Sequence, residues 1–153
     1  MIVDSDTSPL TALLTVGFAE ILPRPFGEVI IPEAVRDELL HTHSSLPEWV
    51  RVVAVKNVAE TQRLSRSADL GEAEAIELAK ELHADRLLID ERKGRRLATQ
   101  EGITIIGLLG VVLLAKKKQL IPSARALLQK LDRDAGMYLG DGVREAALKT
   151  IEE

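Results

Sequence analysis

The sequence predicts an α/β fold: a three-layer α/β/α sandwich around a central, mostly parallel sheet. Three observations carry this. Short apolar, β-branched runs alternate along the chain with amphipathic stretches of helical period. Helix starts carry chemical marks: Ser8 before Pro9, and Pro32 ahead of an amphipathic run. The chain has 153 residues, 46% hydrophobic and 29% charged, which suits one domain that can bury a core. A single domain is therefore expected over 1–153, with C-terminal helices in 122–153 packed on it.

The elements are expected in the following order. Met1 to Val3 opens a strand. A helix follows from Pro9 to about Glu20, with Leu10, Leu13, Leu14 and Gly17 inward, and Pro23 and Pro25 end it. Glu28 to Ile31 is a β-branched strand, and Pro32 opens a helix to about His41. A polar loop to Pro47 leads into a strand within Trp49 to Val55, with Trp49 expected in the core. Val58 to Ser67 reads as helical, and Leu70-Gly71 starts an amphipathic helix to about His83. Arg86 to Ile89 is a buried strand, Glu91 to Gln100 a charged helix, Ile103 to Ile106 a strand, and Leu108 to Lys118 a helix. Pro122 to Arg133 and Gly142 to Ile151 form two more helices; the DAGMYL stretch between them does not read as a buried strand.

Composition narrows the chemistry. Cysteine is absent, which excludes disulfides, thiolate metal sites and cysteine nucleophiles. With only three histidines, a metal would be held by carboxylate oxygens, which favours a hard ion such as Mg²⁺ or Mn²⁺. Net charge is −4, so the chain is no basic nucleic-acid coat. A local basic patch beside an acidic cluster remains compatible with cutting RNA. Without a basic leader or an apolar run of bilayer length, the expected location is the cytoplasm, with no membrane contact.

Helical phase selects among the 24 acidic residues. On the helix after Pro32, taking Val35 as 0°, Leu39 falls at ~40° and Ala34 at ~260°, and Glu38 falls at ~300°, inside that apolar arc. Asp37 and Glu33 lie outside it. On the helix after Gly71, Glu72 falls within the arc formed by Ile76, Ala79, Ala75, Leu82 and Leu78. Glu74, Glu77 and Glu81 fall on the opposite face, expected to be wet. Asp6 follows the first strand, and Asp90 follows the RLLI strand. In a parallel sheet the carboxyl ends of strands are where sites form. An inward acid taken singly is more often a salt bridge or a cap. Several converging acids repel one another unless a cation sits among them.

These stretches together resemble the PIN domain family, and within it the prokaryotic, toxin-like (VapC-type) proteins. The resemblance rests on SDTSPLTAL at 5–13, GEVIIPEAVRDEL at 27–39, LGEAEAIELAKEL at 70–82, LLIDERKGRRLA at 87–98 and GLLGVVLLAKKKQLIP at 107–122. It implies a Rossmann-like sandwich whose metal-holding catalytic acids fall on Asp6, Glu38, Glu72 and Asp90, supported by Thr7 and Ser8. A fifth acid, where relatives have one, would fall on Glu91, which is not counted among the ligands. Asp4 departs from the apolar residue expected in that strand, and Glu72 stands where many relatives carry Asp.

The resemblance further implies a Mg²⁺- or Mn²⁺-dependent endoribonuclease that leaves a 5′-phosphate. It implies the toxin half of a toxin–antitoxin pair, a small antitoxin partner and a homodimer. Arg92, Arg95 and Arg96, with Lys93, are candidates to meet RNA phosphates, as is the run Lys116 to Lys118; a solvated helix face is the plain alternative. Two rival functions stand beside this one. The first is a catalytically inert PIN-like module that binds a partner protein. The second is a haloacid-dehalogenase-like phosphatase, with Asp4-Ser5-Asp6 as its D-x-D opening and Gly140-Asp141 as its late metal pair.

Overall fold

A computed structural model describes residues 1–137 and 139–153. Of the DAGMYL stretch, Tyr138 lies outside the described residues. Five parallel strands form one sheet: β1 (Val3–Ser5), β2 (Val29–Ile31), β3 (Val50–Val52), β4 (Arg86–Leu88) and β5 (Ile105–Ile106). Their order is β3-β2-β1-β4-β5. The chain winds outward from β1 to β3, then returns to the other side of β1 to lay down β4 and β5. The direction of winding therefore reverses between β1 and β4, and the crevice beyond the carboxyl ends of strands at such a reversal is where ligands bind in open α/β sheets.

Alternation along the strands builds two cores. Val3, Val29, Ile31 and Leu88 face one side. They pack with α1 (Thr7–Val16), α7 (Leu108–Lys117) and α8 (Ala124–Ala135) through residues such as Leu10, Leu13, Val112 and Leu128. Leu87 and Ile89 face the other side. There they meet α4 (Val58–Leu64), α5 (Leu70–Leu82) and α6 (Arg92–Gln100) through Leu64, Ala73, Ile76 and Ala98. The result is the three-layer sandwich expected from the alternation of strands and helices.

Local chemistry corrects some expectations. Asp6, not Ser8, is the N-cap of α1, with extended backbone at φ −80° and ψ 174°. Pro9 then lies in the first helical turn, where a missing N–H removes no intrahelical bond. The helix stops at Gly17, whose φ of 78° is a left-handed cap, so Gly17 is exposed instead of inward. Pro23 and Pro25 do more than terminate: after a 3-10 turn at Ala19–Ile21 they start a one-turn helix, α2 (Pro23–Phe26). Trp49 is only half-buried, and its Nε1 donates to Glu20 Oε1 at 3.1 Å.

The largest departure concerns α5. Glu77, placed by phase on the wet face, is 3% exposed and pairs with Lys80 at 3.6 Å. Glu74 accepts from the Ala34 N–H at 3.0 Å, at the start of α3 (Glu33–Thr42). Glu81 accepts from Lys56 and Asn57 N–H groups at the start of α4. The reason is packing: α3 and α4 both lie against α5, so its acidic stripe becomes a seam that satisfies neighbouring helix ends.

At the C-terminus, α9 (Asp141–Lys149) precedes a carboxylate clamp on α8. Glu153 accepts from Ser123 Oγ at 2.8 Å and Ala124 N at 2.7 Å. Among the described residues, no helix is long and apolar enough to cross a membrane.

Candidate functional site

Each strand that ends at the carboxyl edge of the sheet hands over to a helix whose N-terminus points back at that edge. Asp6 sits in the turn from β1 into α1, and its N–H donates to Leu88 O of β4 at 3.0 Å. That bond ties it to the point where the winding reverses. Asp6 is 3% exposed. Burial pushes its carboxyl up to about 7, the Thr7 N–H offsets part of this, and the charges of Asp69, Glu38 and Glu91 add to the rise.

Glu72 reaches the same place from the first turn of α5. It is 5% exposed. Burial pushes it up to about 9, reinforced by side-chain hydrogen bonds with Glu91 and Asp69 and by the charges of Asp69 and Asp6. Its carboxylate lies against Gly94 of α6, where a Cβ would come within 2.8 Å of Oε2.

Glu38 differs from the inward-facing expectation, because the residue is exposed. Its carboxylate does not enter a core; it lies across the backbone of Gly71 in the next layer, so closely that any Cβ at Gly71 would collide with Oε1. On α3, Val35 and Leu39 are buried while Glu38, which phase placed in the same arc, is exposed. That face ends at the rim of the sheet, where α3 meets the open start of α5.

Asp6 thus feels the charge of Glu38, and Glu72 that of Asp6, but among the described residues the acids whose oxygens lie within 4.8 Å of one another are Asp69, Glu72 and Glu91, not the predicted set of Asp6, Glu38, Glu72 and Asp90. Asp90 lies one residue beyond the end of β4 strand pairing at Ile89, and its carboxylate is engaged differently. Oδ1 accepts from the Leu108 N–H at 2.9 Å, at the start of α7. Oδ2 is buried without a hydrogen-bond partner among the described residues. Burial raises Asp90, while the Leu108 N–H and the Arg95 charge pull it down.

Two further acids stand closest to Glu72. Asp69, Glu72 and Glu91 each offer an oxygen within 4.8 Å of the others'. Asp69 is the N-cap of α5, its Oδ1 accepting from Glu72 N at 2.8 Å. Its signal was present in the sequence, since Asp69-Leu70-Gly71-Glu72 has the cap-then-acid spacing of a helix start. Glu91, left out of the ligand count, is the N-cap residue of α6, and its side chain belongs to this cluster.

This donor set suits a divalent cation by its chemistry. It is all oxygen and crowded with like charge, and Asp90, outside that trio, keeps one buried oxygen with no partner among the described residues. Thr7 Oγ1 is likewise buried without a partner, while the Ser8 side chain is exposed at the rim.

Cations flank the cluster. Arg66 and Lys93 line a cavity of about 330 Å³ together with Asp69, Glu72 and Glu91. Arg92 and Arg95 line a separate one beside Asp90. Arg95 spends Nη1 on Ile89 O at 3.1 Å, and Arg96 is exposed on α6. Arg66 was not singled out from the sequence, because it lies in the turn after α4 and approaches Glu72 only through the packing of α4 on α5.

The phosphatase alternative fails on geometry. Asp4, its nucleophile, is 0% exposed inside β1, beyond the reach of any substrate. Asp141 begins α9 and bonds to Arg144 at 3.2 Å.

No curated protein matches the sequence. A family model described as PIN domain matches residues 1–153. That match, a five-stranded parallel sheet and carboxylates gathered where its winding reverses agree on a nuclease-type fold with an acidic cluster that could hold a metal ion. The chain belongs to the PIN domain family.

Proposed function

We propose that this protein is a Mg²⁺- or Mn²⁺-dependent endoribonuclease, with Asp6, Glu38, Glu72 and Asp90 as its metal-holding acids. The observation that supports the reading is the crowding of acids at the carboxyl edge beside the β1–β4 crevice: Asp69, Glu72 and Glu91 offer oxygens within 4.8 Å of one another, and Asp6 feels the charges of Asp69, Glu38 and Glu91. Burial first, and then the charges of neighbouring acids, raise Asp6 and Glu72, a state a divalent cation would relieve. When bound, the cation lowers the pKa of a coordinated water and offsets charge that builds on the phosphate.

The chain's own residues do the remainder. Asp69 fixes the start of α5 and so the position of Glu72. Leu108 N–H holds one Asp90 oxygen and leaves the other free to bind. Thr7 Oγ1, without a partner among the described residues, can donate to a ligand oxygen. Arg66 and Lys93 supply positive charge for the phosphates on the side of Glu72, and Arg92 does so near Asp90.

The finer reading follows from the resemblance: a toxin-like, VapC-type protein of the cytoplasm, held by a small antitoxin and forming a homodimer. The test of the core reading is cleavage of labelled RNA with Mn²⁺ by wild type, Asp6→Asn and Asp90→Asn. Loss in both variants is expected. Equal cleavage by all three proteins would end the proposal.

A further inference from the structure

A cavity of about 320 Å³ opens beside the acidic edge, between the start of α7 and the end of α8. Its polar lining is Ser8, Asp90 and Glu91. Its walls are aliphatic, with Leu109 from α7, Leu128 and Leu131 from α8, and Met137 and Leu139 from the segment that follows. The size falls at the small end of the roughly 300–1,000 Å³ range of small-ligand sites, enough for one nucleoside-sized group.

The chemistry of the lining selects among occupants. Two carboxylates in it oppose a phosphate or an acidic peptide entering the cavity. The apolar walls favour a flat, uncharged group with a polar edge. Asp90 and Glu91 also belong to the acidic edge, so whatever occupies the cavity is a direct neighbour of a phosphate held there. An RNA nucleotide has this division built in: an anionic backbone and a neutral planar base.

We propose that this cavity takes one base of the RNA, next to the phosphodiester that is cut. Ser8 meets its ribose or base edge, and the side chains of Leu109, Leu131 and Met137 cover its faces. The assignment rests on the ribonuclease reading above and adds a base-binding subsite to it.

The chain has only two methionines, Met1 and Met137, and Met1 lines a different cavity with Phe26 and Lys117. Protein labelled with ¹³C in the methionine methyls therefore reports the proposed pocket and an internal control at once. The probes are the four ribonucleoside 5′-monophosphates in Mg²⁺, with ribose 5-phosphate as the base-free control. At least one nucleotide should shift the Met137 methyl by the ring current of its base, while Met1 stays still and ribose 5-phosphate has no effect. Leu109→Trp, which fills the cavity from a half-buried position, should weaken that shift about tenfold or more, a change equal to about 1.4 kcal/mol. In a parallel titration Mn²⁺ should broaden Met137 more than Met1, in wild type and in Leu109→Trp alike.

Selective Mn²⁺ broadening with no nucleotide-induced shift overturns the base pocket and leaves the metal centre standing. Absence of selective broadening overturns the metal centre, and with it the subsite. Equal shifts from ribose 5-phosphate mean that the phosphate alone is felt. A Met137 shift that follows protein concentration without nucleotide marks an interface between copies. Either of these last two results also overturns the proposal.

Discussion

Gly71→Ala separates the stability of the fold from the integrity of the proposed site. A Cβ built on Gly71 collides with Glu38 Oε1 and lies 3.2 Å from Glu38 Cδ and 3.5 Å from Oε2, with these three atoms its nearest neighbours. Those atoms are the far end of an exposed, flexible side chain, so the carboxylate can swing away at little cost. Gly71 is not among the glycines with positive φ, so alanine adopts its backbone without strain. Restricting the unfolded chain then gains about 0.4–1 kcal/mol. For a chain of this size that is a rise of roughly 1–4 °C in the melting temperature. The metal site should suffer the opposite change, because one carboxylate has been displaced; a loss of about 10–100-fold in Mn²⁺ affinity is the expected scale. The assays are a metal-free thermal melt by circular dichroism and calorimetric titration with Mn²⁺. In a Glu38→Ala background, Gly71→Ala should leave Mn²⁺ affinity unchanged. Unaltered Mn²⁺ binding by the single variant would refute the placement of Glu38 as a ligand across Gly71. A destabilised metal-free protein would refute the claim that only a mobile side chain stands in the way.

Gly94→Ala should behave differently, since its Cβ would meet Ile89 Cδ1 as well as Glu72 Oε2, each at 2.8 Å. Ile89 is 0% exposed and cannot yield, so a loss of about 1–3 kcal/mol in urea unfolding is expected. Metal-free stability should fall as pH rises. Asp6 at about 7 and Glu72 at about 9 retain protons in the fold that the unfolded chain releases near pH 4, so folding is penalised progressively across that window. Urea midpoints at pH 5 and pH 8 measure this, and Glu72→Gln should flatten the difference. Asp4, buried with both oxygens unpartnered among the described residues, should be a burden on the fold. Asp4→Val is expected to raise stability by about 1–3 kcal/mol and to leave Mn²⁺ binding intact; a loss of Mn²⁺ binding would make Asp4 a ligand.

The legibility of this molecule was uneven for physical reasons. β2 was readable because it is written as a short β-branched run, Val29-Ile30-Ile31, with Val29 and Ile31 buried. Glu72 was readable because α5 has a clean apolar arc and Glu72 lies in it. The same arithmetic misjudged Glu77, since phase records which face is apolar and cannot record that α3 and α4 cover the other one. Asp69 was written plainly as a helix cap, and a cap is an ordinary role for an aspartate. Only the approach of Glu91 from α6 makes it part of a cluster.

The sequence by itself determined the parallel sandwich and the positions of Asp6 and Asp90 just past strand ends, because period and chain order are local properties. Tertiary structure alone decided which carboxylates meet. Glu38 lies across the bare backbone of Gly71, and Glu91 turns toward Glu72 while Asp90 turns toward Leu108. Adjacent residues leaving one strand end diverge, and which one faces the crevice depends on where the next helix begins.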